Sequence, residues 1–209
     1  MLKTLTLFLL AASLRADVVT YSVLVNTSSI SGQSGNIDFQ FNPGNVTSDP
    51  AFVRISAFSP AGGLGGSPSI IGNVTGTLPS PVRIDNTSAL NDYTQAFTFG
   101  STLSFLVGFN GPALTAPSGT ATAGNAFGFS LFNSDFSAAL LTVDPDGFLV
   151  TGQVDTLGHV TMASFGTPGP APVVIVTATP EPRFAGVLVV ALAGLAIGRR
   201  RSGQTAPSR

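Results

Sequence analysis

Alternation with a period of two runs through most of this chain and leaves little choice of fold. Val19, Tyr21, Val23 and Val25 are separated by Thr20, Ser22 and Leu24, and Ile37, Phe39 and Phe41 by Asp38 and Gln40. The pattern continues through Val53-Ile55-Ala57, Tyr93-Gln95-Phe97-Phe99, Leu103-Phe105-Val107-Phe109, Phe127-Phe129-Leu131, Phe148-Val150 and Val160-Met162. Successive side chains of a strand point to opposite faces, so this spacing buries one face of each segment and wets the other. Clusters of turn formers punctuate the segments: Ser31 to Gly35, Asn42-Pro43-Gly44-Asn45, Ala61 to Ser69, Asn110-Gly111-Pro112 and Asp144-Pro145-Asp146-Gly147. No helical stripe of useful length precedes Phe184. About eight to ten short strands with polar turns predict an all-β fold, an antiparallel β-sandwich of jelly-roll-like form. Tyr93–Phe99 and Leu103–Phe109, with only Gly100-Ser101 between them, read as paired neighbours.

The two ends break the pattern. Met1-Leu2-Lys3, an apolar stretch from Leu5 to Leu14 and then Leu14-Arg15-Ala16 before Asp17 read as a secretory signal peptide over residues 1–16. The expected cut lies between Ala16 and Asp17, with cleavage after Ala12 the alternative. An ectodomain over residues 17–165 follows, and proline and threonine spacing from Gly166 predicts an extended linker over 166–179. Pro180-Glu181-Pro182 comes next, then the apolar run Phe184–Gly198, then Arg199-Arg200-Arg201 and a polar tail over 202–209. Each proline lacks an N–H and pushes its predecessor out of the helical region, so a helix starts only after Pro182 and leaves Glu181 extended. As a helix, Phe184–Gly198 reaches roughly 22 Å, short of a hydrocarbon core of roughly 30 Å. Snorkelling of the arginines and local bilayer thinning make up the difference. The three arginines favour a cytoplasmic C-terminus.

This order of triplet, transmembrane helix (184–198) and arginine cluster, over residues 180–201, resembles the PEP-CTERM sorting signal of exported bacterial proteins. The resemblance implies handling by a membrane-embedded exosortase, with Pro180, Glu181, Pro182, Arg199, Arg200 and Arg201 as the signal residues. It further implies an inner-membrane-anchored precursor and a final place at the cell surface or in the extracellular matrix. A plain tail anchor is the alternative reading. The stretch Val19-Thr20-Tyr21-Ser22-Val23 through Ile37-Asp38-Phe39-Gln40-Phe41-Asn42-Pro43-Gly44 also resembles a recurrent set of uncharacterised PEP-CTERM proteins. That second resemblance implies a β-rich ectodomain and brings no activity with it.

Charge and chemistry narrow the function. The whole chain carries a formal net charge of −1, but between Asp17 and Thr179 only Arg54 and Arg83 are basic. Nine aspartates oppose them there, for a net −7. Nucleic acid is a poor partner for such a domain. With no cysteine, disulfides, thiolate metal sites and cysteine nucleophiles are excluded. His159 is the sole histidine, and no Gly-x-Ser-x-Gly elbow accompanies it to mark a Ser-His-Asp triad. Nothing in the sequence selects a carboxylate pair from the aspartates, and no catalytic residue or cofactor is expected. Asp144-Pro145-Asp146-Gly147 shares an Asp-x-Asp-Gly core with calcium loops, which makes Asp144 and Asp146 weak calcium candidates. The full loop pattern is missing, and the same four residues are an ordinary turn sequence. Asn26-Thr27-Ser28, Asn45-Val46-Thr47, Asn73-Val74-Thr75 and Asn86-Thr87-Ser88 fit the N-glycosylation pattern, and turn preference accounts for most such matches in a chain of this composition.

Three classes therefore compete: a non-catalytic surface or exopolysaccharide-associated matrix protein, a carbohydrate-binding module, and a secreted hydrolase. The first leads by elimination. Glycan-binding faces usually present exposed Trp or Tyr, and this chain has no Trp and two Tyr, Tyr21 and Tyr93. The processing expectation is directly measurable. N-terminal sequencing of the mature protein should begin at Asp17, and a retained Met1 would overturn the secretory reading.

Overall fold

The alternating segments become strands because each buries a row of Phe, Ile, Val or Leu and leaves hydroxyls and amides on the other face. The computed structural model describes residues 19–169 and 173–179. Ala16, Asp17 and the signal peptide, and the whole of Pro180–Arg209, lie outside the described residues. The strands are β1 (Val19–Asn26), β2 (Ser34–Pro43), β3 (Phe52–Pro60), β4 (Gly63–Leu64), β5 (Ser69–Ile71), β6 (Val74–Thr75) and β7 (Val82–Asp85). They continue with β8 (Asp92–Thr98), β9 (Thr102–Asn110), β10 (Asn125–Asn133), β11 (Val150–Val154), β12 (Val160–Ser164) and β13 (Val174–Thr179). One helical turn, α1 (Pro112–Thr115), follows β9.

Two antiparallel sheets result. Sheet A has the order β13-β1-β9-β3-β7-β6, and sheet B the order β12-β11-β10-β2-β8-β4, with β5 also paired to β8. The sheets pack face to face through aromatic rings. Phe39 of β2 meets Phe105 of β9 edge-on at 5.1 Å, and Phe105 meets Phe129 of β10 at 4.9 Å. Phe109 of β9 touches Phe41 and Phe127 of sheet B at 6.3 and 6.0 Å. These are the offset geometries that ring quadrupoles favour.

Several expectations change. β8 and β9 do not pair with each other: β8 bonds β2 in sheet B, while β9 bonds β1 and β3 in sheet A. Residues 99–101 cross between the sheets, because both strands turn apolar faces into one shared core from opposite sides. The crossing is fastened to the β1–β2 connection by Thr27 N–H to Ser101 O (2.9 Å), Thr27 Oγ1 to Gly100 O (2.7 Å) and Gly32 N–H to Phe99 O (2.7 Å). Gly100 also lies against Ala61 in the β3–β4 connection, so closely that any Cβ there would overlap the Ala61 carbonyl.

In β3 the inward face does not continue from Ile55 to Ala57. Ala57 takes a positive φ of 49° and points outward, the register to β9 shifts between Ser56 and Ser59, and Phe58 enters the core instead. This is a β-bulge, one residue inserted to re-aim the strand. The linker expected over 166–179 is also corrected. Val174–Thr179 forms β13, hydrogen-bonded along β1 from Thr20↔Thr179 to Val25↔Val174. The β-branched run Val173-Val174-Ile175-Val176 outweighs the flanking prolines, and Val174 is buried.

Phe105 is one of the rings that join the two sheets, at 1% exposure. Phe105→Ala should cost about 3–5 kcal/mol in chemical denaturation, with a β-type far-UV spectrum retained by the folded wild type. Loss of less than about 1 kcal/mol would contradict the face-to-face core.

Candidate functional site

The chemistry of this domain sits on the outer face of sheet B. In β2 the inward positions are Ile37, Phe39 and Phe41, so Asp38 and Gln40 face outward. Register places Asp38 beside Ser130 of β10 and Thr94 of β8, and Gln40 beside Asp92 of β8. Asp38 and Asp92 are thus diagonal neighbours across two strands, a spacing that side chains bridge. Although on an outer face, Asp38 is only 4% exposed and Ser130 1%. Phe148 lies on the same face, its ring so close over Gly128 that a Cβ there would clash with it. Phe148, expected to continue a core-facing alternation, instead belongs to this outer face.

The polar contacts are specific. Gln40 Nε2 donates to Asp38 Oδ2 at 2.9 Å, and Thr94 Oγ1 donates to Asp92 Oδ1 at 2.8 Å. Burial is the main cause that pushes the Asp38 carboxyl up to about 8, the Asp92 charge and hydrogen bond add to it, and Gln40 opposes it. Asp38 Oδ1 and Ser130 Oγ, both buried, accept or donate no hydrogen bond among the described residues. This is the carboxyl pair that the sequence could not select.

A second feature is a groove of about 580 Å³ between the 43–50 loop and the 86–89 turn. Its floor is Asn86, which donates to Asp49 O (2.8 Å) and Asn125 Oδ1 (2.5 Å) and accepts from Ala51 N–H (3.0 Å). Asn45 on the wall accepts from both Thr47 N–H and Thr47 Oγ1 at 2.8 Å, and donates to Thr122 Oγ1 at 2.9 Å. The walls carry prolines, amides, hydroxyls and the exposed Val46, with no charge or aromatic ring among them. Of the glycosylation-pattern asparagines, Asn86 is buried and fully bonded, and Asn26 and Asn45 close short turns on their own following residues. Asn73 Nδ2 bonds Thr87 and Ser88 (2.6 and 2.9 Å). Turn chemistry accounts for Asn26 and Asn45, and bonds between distant segments for Asn73 and Asn86.

The residues singled out from the sequence do not come together. Asp144 closes its own turn, its Oδ2 accepting from Phe148 N–H at 3.0 Å while Gly147 N–H bonds Asp144 O at 3.1 Å. Gly147 has the positive φ of 86° that the turn reading requires. Asp146 is exposed in the same turn. His159 pairs with Asp155 through Nδ1 at 3.0 Å within the β11–β12 hairpin. Asp155 accepts the backbone N–H groups of His159 and Leu157 at 2.8 Å each, which with the ring holds its carboxyl below the ordinary range. Among the described residues no group of three or more His, Cys, Asp or Glu gathers as a metal cluster. No described helix is long and apolar enough to cross a membrane, and the expected span over 184–198 lies outside the described residues with Pro180, Glu181, Pro182, Arg199, Arg200 and Arg201.

Comparison with protein families, with curated proteins and with solved structures gave no match.

The buried Asp38 carboxyl makes stability depend on pH in a defined direction. Because the folded carboxyl of Asp38 titrates near 8 and the unfolded one near 3.8, the folded state holds the extra proton across that window. Stability therefore falls as pH rises from about 4 to 8. In buffer containing EDTA, the melting temperature of the wild type should decline over this range more steeply than that of Asp38→Asn. Parallel profiles would overturn the assignment.

Proposed function

We propose that this chain is a non-catalytic exported protein of the cell surface or extracellular matrix, sorted by an exosortase through its C-terminal tail. The observation that carries the reading is the order Pro180-Glu181-Pro182, Phe184–Gly198, Arg199-Arg200-Arg201. The ectodomain suits it: two antiparallel sheets, no cysteine, and a net −7 set among serine, threonine and asparagine. In this reading exosortase and the inner membrane are transient partners, extracellular polysaccharide is the lasting one, and nucleic acid is not a partner.

We read the two sheets as a jelly-roll-like sandwich. The long strands β1, β2, β3, β8, β9 and β10 alternate between sheets, and β1 hydrogen-bonds β9. The groove beside Asn45 and Asn86 favours a second reading, a carbohydrate-binding module. Its amides and hydroxyls are the groups that bond sugar hydroxyls, although none of the residues lining it stacks a ring. A glycan array probed with the full-length chain separates the two readings: a glycan bound by the wild type and lost in Asn45→Ala supports the module.

The sorting reading has its own test. Changing Pro180, Glu181 and Pro182 together to alanine leaves the apolar run and arginines intact. Immunoblots of membrane and extracellular fractions, with and without the host exosortase, should show uncut precursor held in the membrane for the variant and processed protein for the wild type. Full-length, membrane-bound protein in both would reduce the tail to an anchor.

A further inference from the structure

We propose that the outer face of sheet B holds a divalent-cation site, Ca²⁺ by preference, built from the Asp38 and Asp92 carboxylates and the Ser130 hydroxyl. Three strands deliver these groups to one place: β2 carries Asp38, β8 carries Asp92 diagonally across, and β10 carries Ser130 directly opposite Asp38. Hydrogen bonding orients the acids without consuming them. Gln40 engages Asp38 Oδ2 and leaves the buried Oδ1, while Thr94 engages only Oδ1 of Asp92.

Ser130 Oγ supplies the independent observation. It is 1% exposed, lies opposite Asp38 on the same face, and like Asp38 Oδ1 has no hydrogen-bond partner. Buried polar groups without partners are rare in folded proteins and mark places where a ligand completes the structure. Two such oxygens on adjacent strands beside a second carboxyl can be satisfied together by one cation. No side chain is placed to supply it: the ectodomain's two cations, Arg54 and Arg83, are on β3 and β7 of sheet A, and Arg83 already pairs with Asp85 at 2.6 Å.

The donor set defines the ion. Carboxylate and hydroxyl oxygens without nitrogen or sulfur suit Ca²⁺ or Mg²⁺ rather than a transition metal. Donors on three separate strands give an irregular shell, and burial strips water. Ca²⁺ tolerates both conditions, whereas Mg²⁺ demands near-octahedral geometry and gives up its waters reluctantly. The site is distinct from the Asp144–Gly147 turn, where Phe148 N–H already occupies the Asp144 carboxylate.

The test is calorimetric titration of CaCl₂ and MgCl₂ into the EDTA-stripped full-length chain, with thermal melts in parallel. The wild type should bind one Ca²⁺ per chain, more tightly than Mg²⁺, and melt at a higher temperature when loaded. Asp92→Asn, whose unloaded fold is checked by circular dichroism, should lose the isotherm, and Ser130→Ala should weaken binding by about tenfold. The double variant Asp144→Asn, Asp146→Asn should bind as the wild type does. A wild type that shows neither binding nor a melting shift overturns the site. So does binding that survives Asp92→Asn, or that disappears in the turn double variant.

Discussion

Everything in this domain hangs on the contact of three phenylalanine rings, Phe39, Phe105 and Phe129, with centroid separations of 5.1, 4.9 and 4.9 Å. Two belong to sheet B and one to sheet A, so the cluster is the place where the sheets recognise each other. With no cysteine in the chain, no covalent link does this work. Phe41, Phe109 and Phe127 extend the same ring-to-edge contacts along the interface. Because rings occupy the inner face at successive strand positions, each neighbouring outer face is set by the pleat. The outward placement of Asp38, Gln40, Asp92 and Ser130 is a by-product of where the phenylalanines must go.

The second constraint lies at one end of the sheets, where three connections cross from one sheet to the other. The β1–β2, β3–β4 and β8–β9 passages bind one another through Thr27, Gly32, Phe99, Ser101 and the Ala61 N–H bond to Thr102 O (2.8 Å). Gly100 is required there because backbone fills the space a side chain would need. Elsewhere buried polar groups play the same fastening part. Tyr93 OH donates to Gln95 Oε1 (2.5 Å) and accepts from Leu78 N–H (3.1 Å), tying β8 to the loop before β7, and burial raises the phenol's titration above its ordinary value.

Period-two patterning made the fold class legible, because Val23, Phe39, Phe105 and Phe129 bury as the alternation requires. Partnership was not legible. A short Gly-Ser link between two apolar strands fits a hairpin and a sheet-to-sheet crossing equally, and only the shared core decides between them. The Ala57 bulge was hidden because alanine carries no local signal for positive φ. β13 was masked by the prolines around it. The acid pair was beyond reach for a different reason: Asp38 and Asp92 are far apart in sequence and meet only through the β2–β8 register. Asp144 and Asp146 were conspicuous because they are adjacent, yet adjacency there serves a turn.

The pairing of β13 with β1 has a mechanical consequence. Thr20 faces Thr179 at one end of the ladder and Val25 faces Val174 at the other. The first and last described strands therefore lie side by side, and residues 19 and 179 leave the fold from the same end. A load applied between those two points opens the ladder one pair at a time, starting from Thr20 and Thr179, instead of shearing every pair together. Joining the same two points by a brief peptide, conversely, would turn the outermost ladder into a closed hairpin.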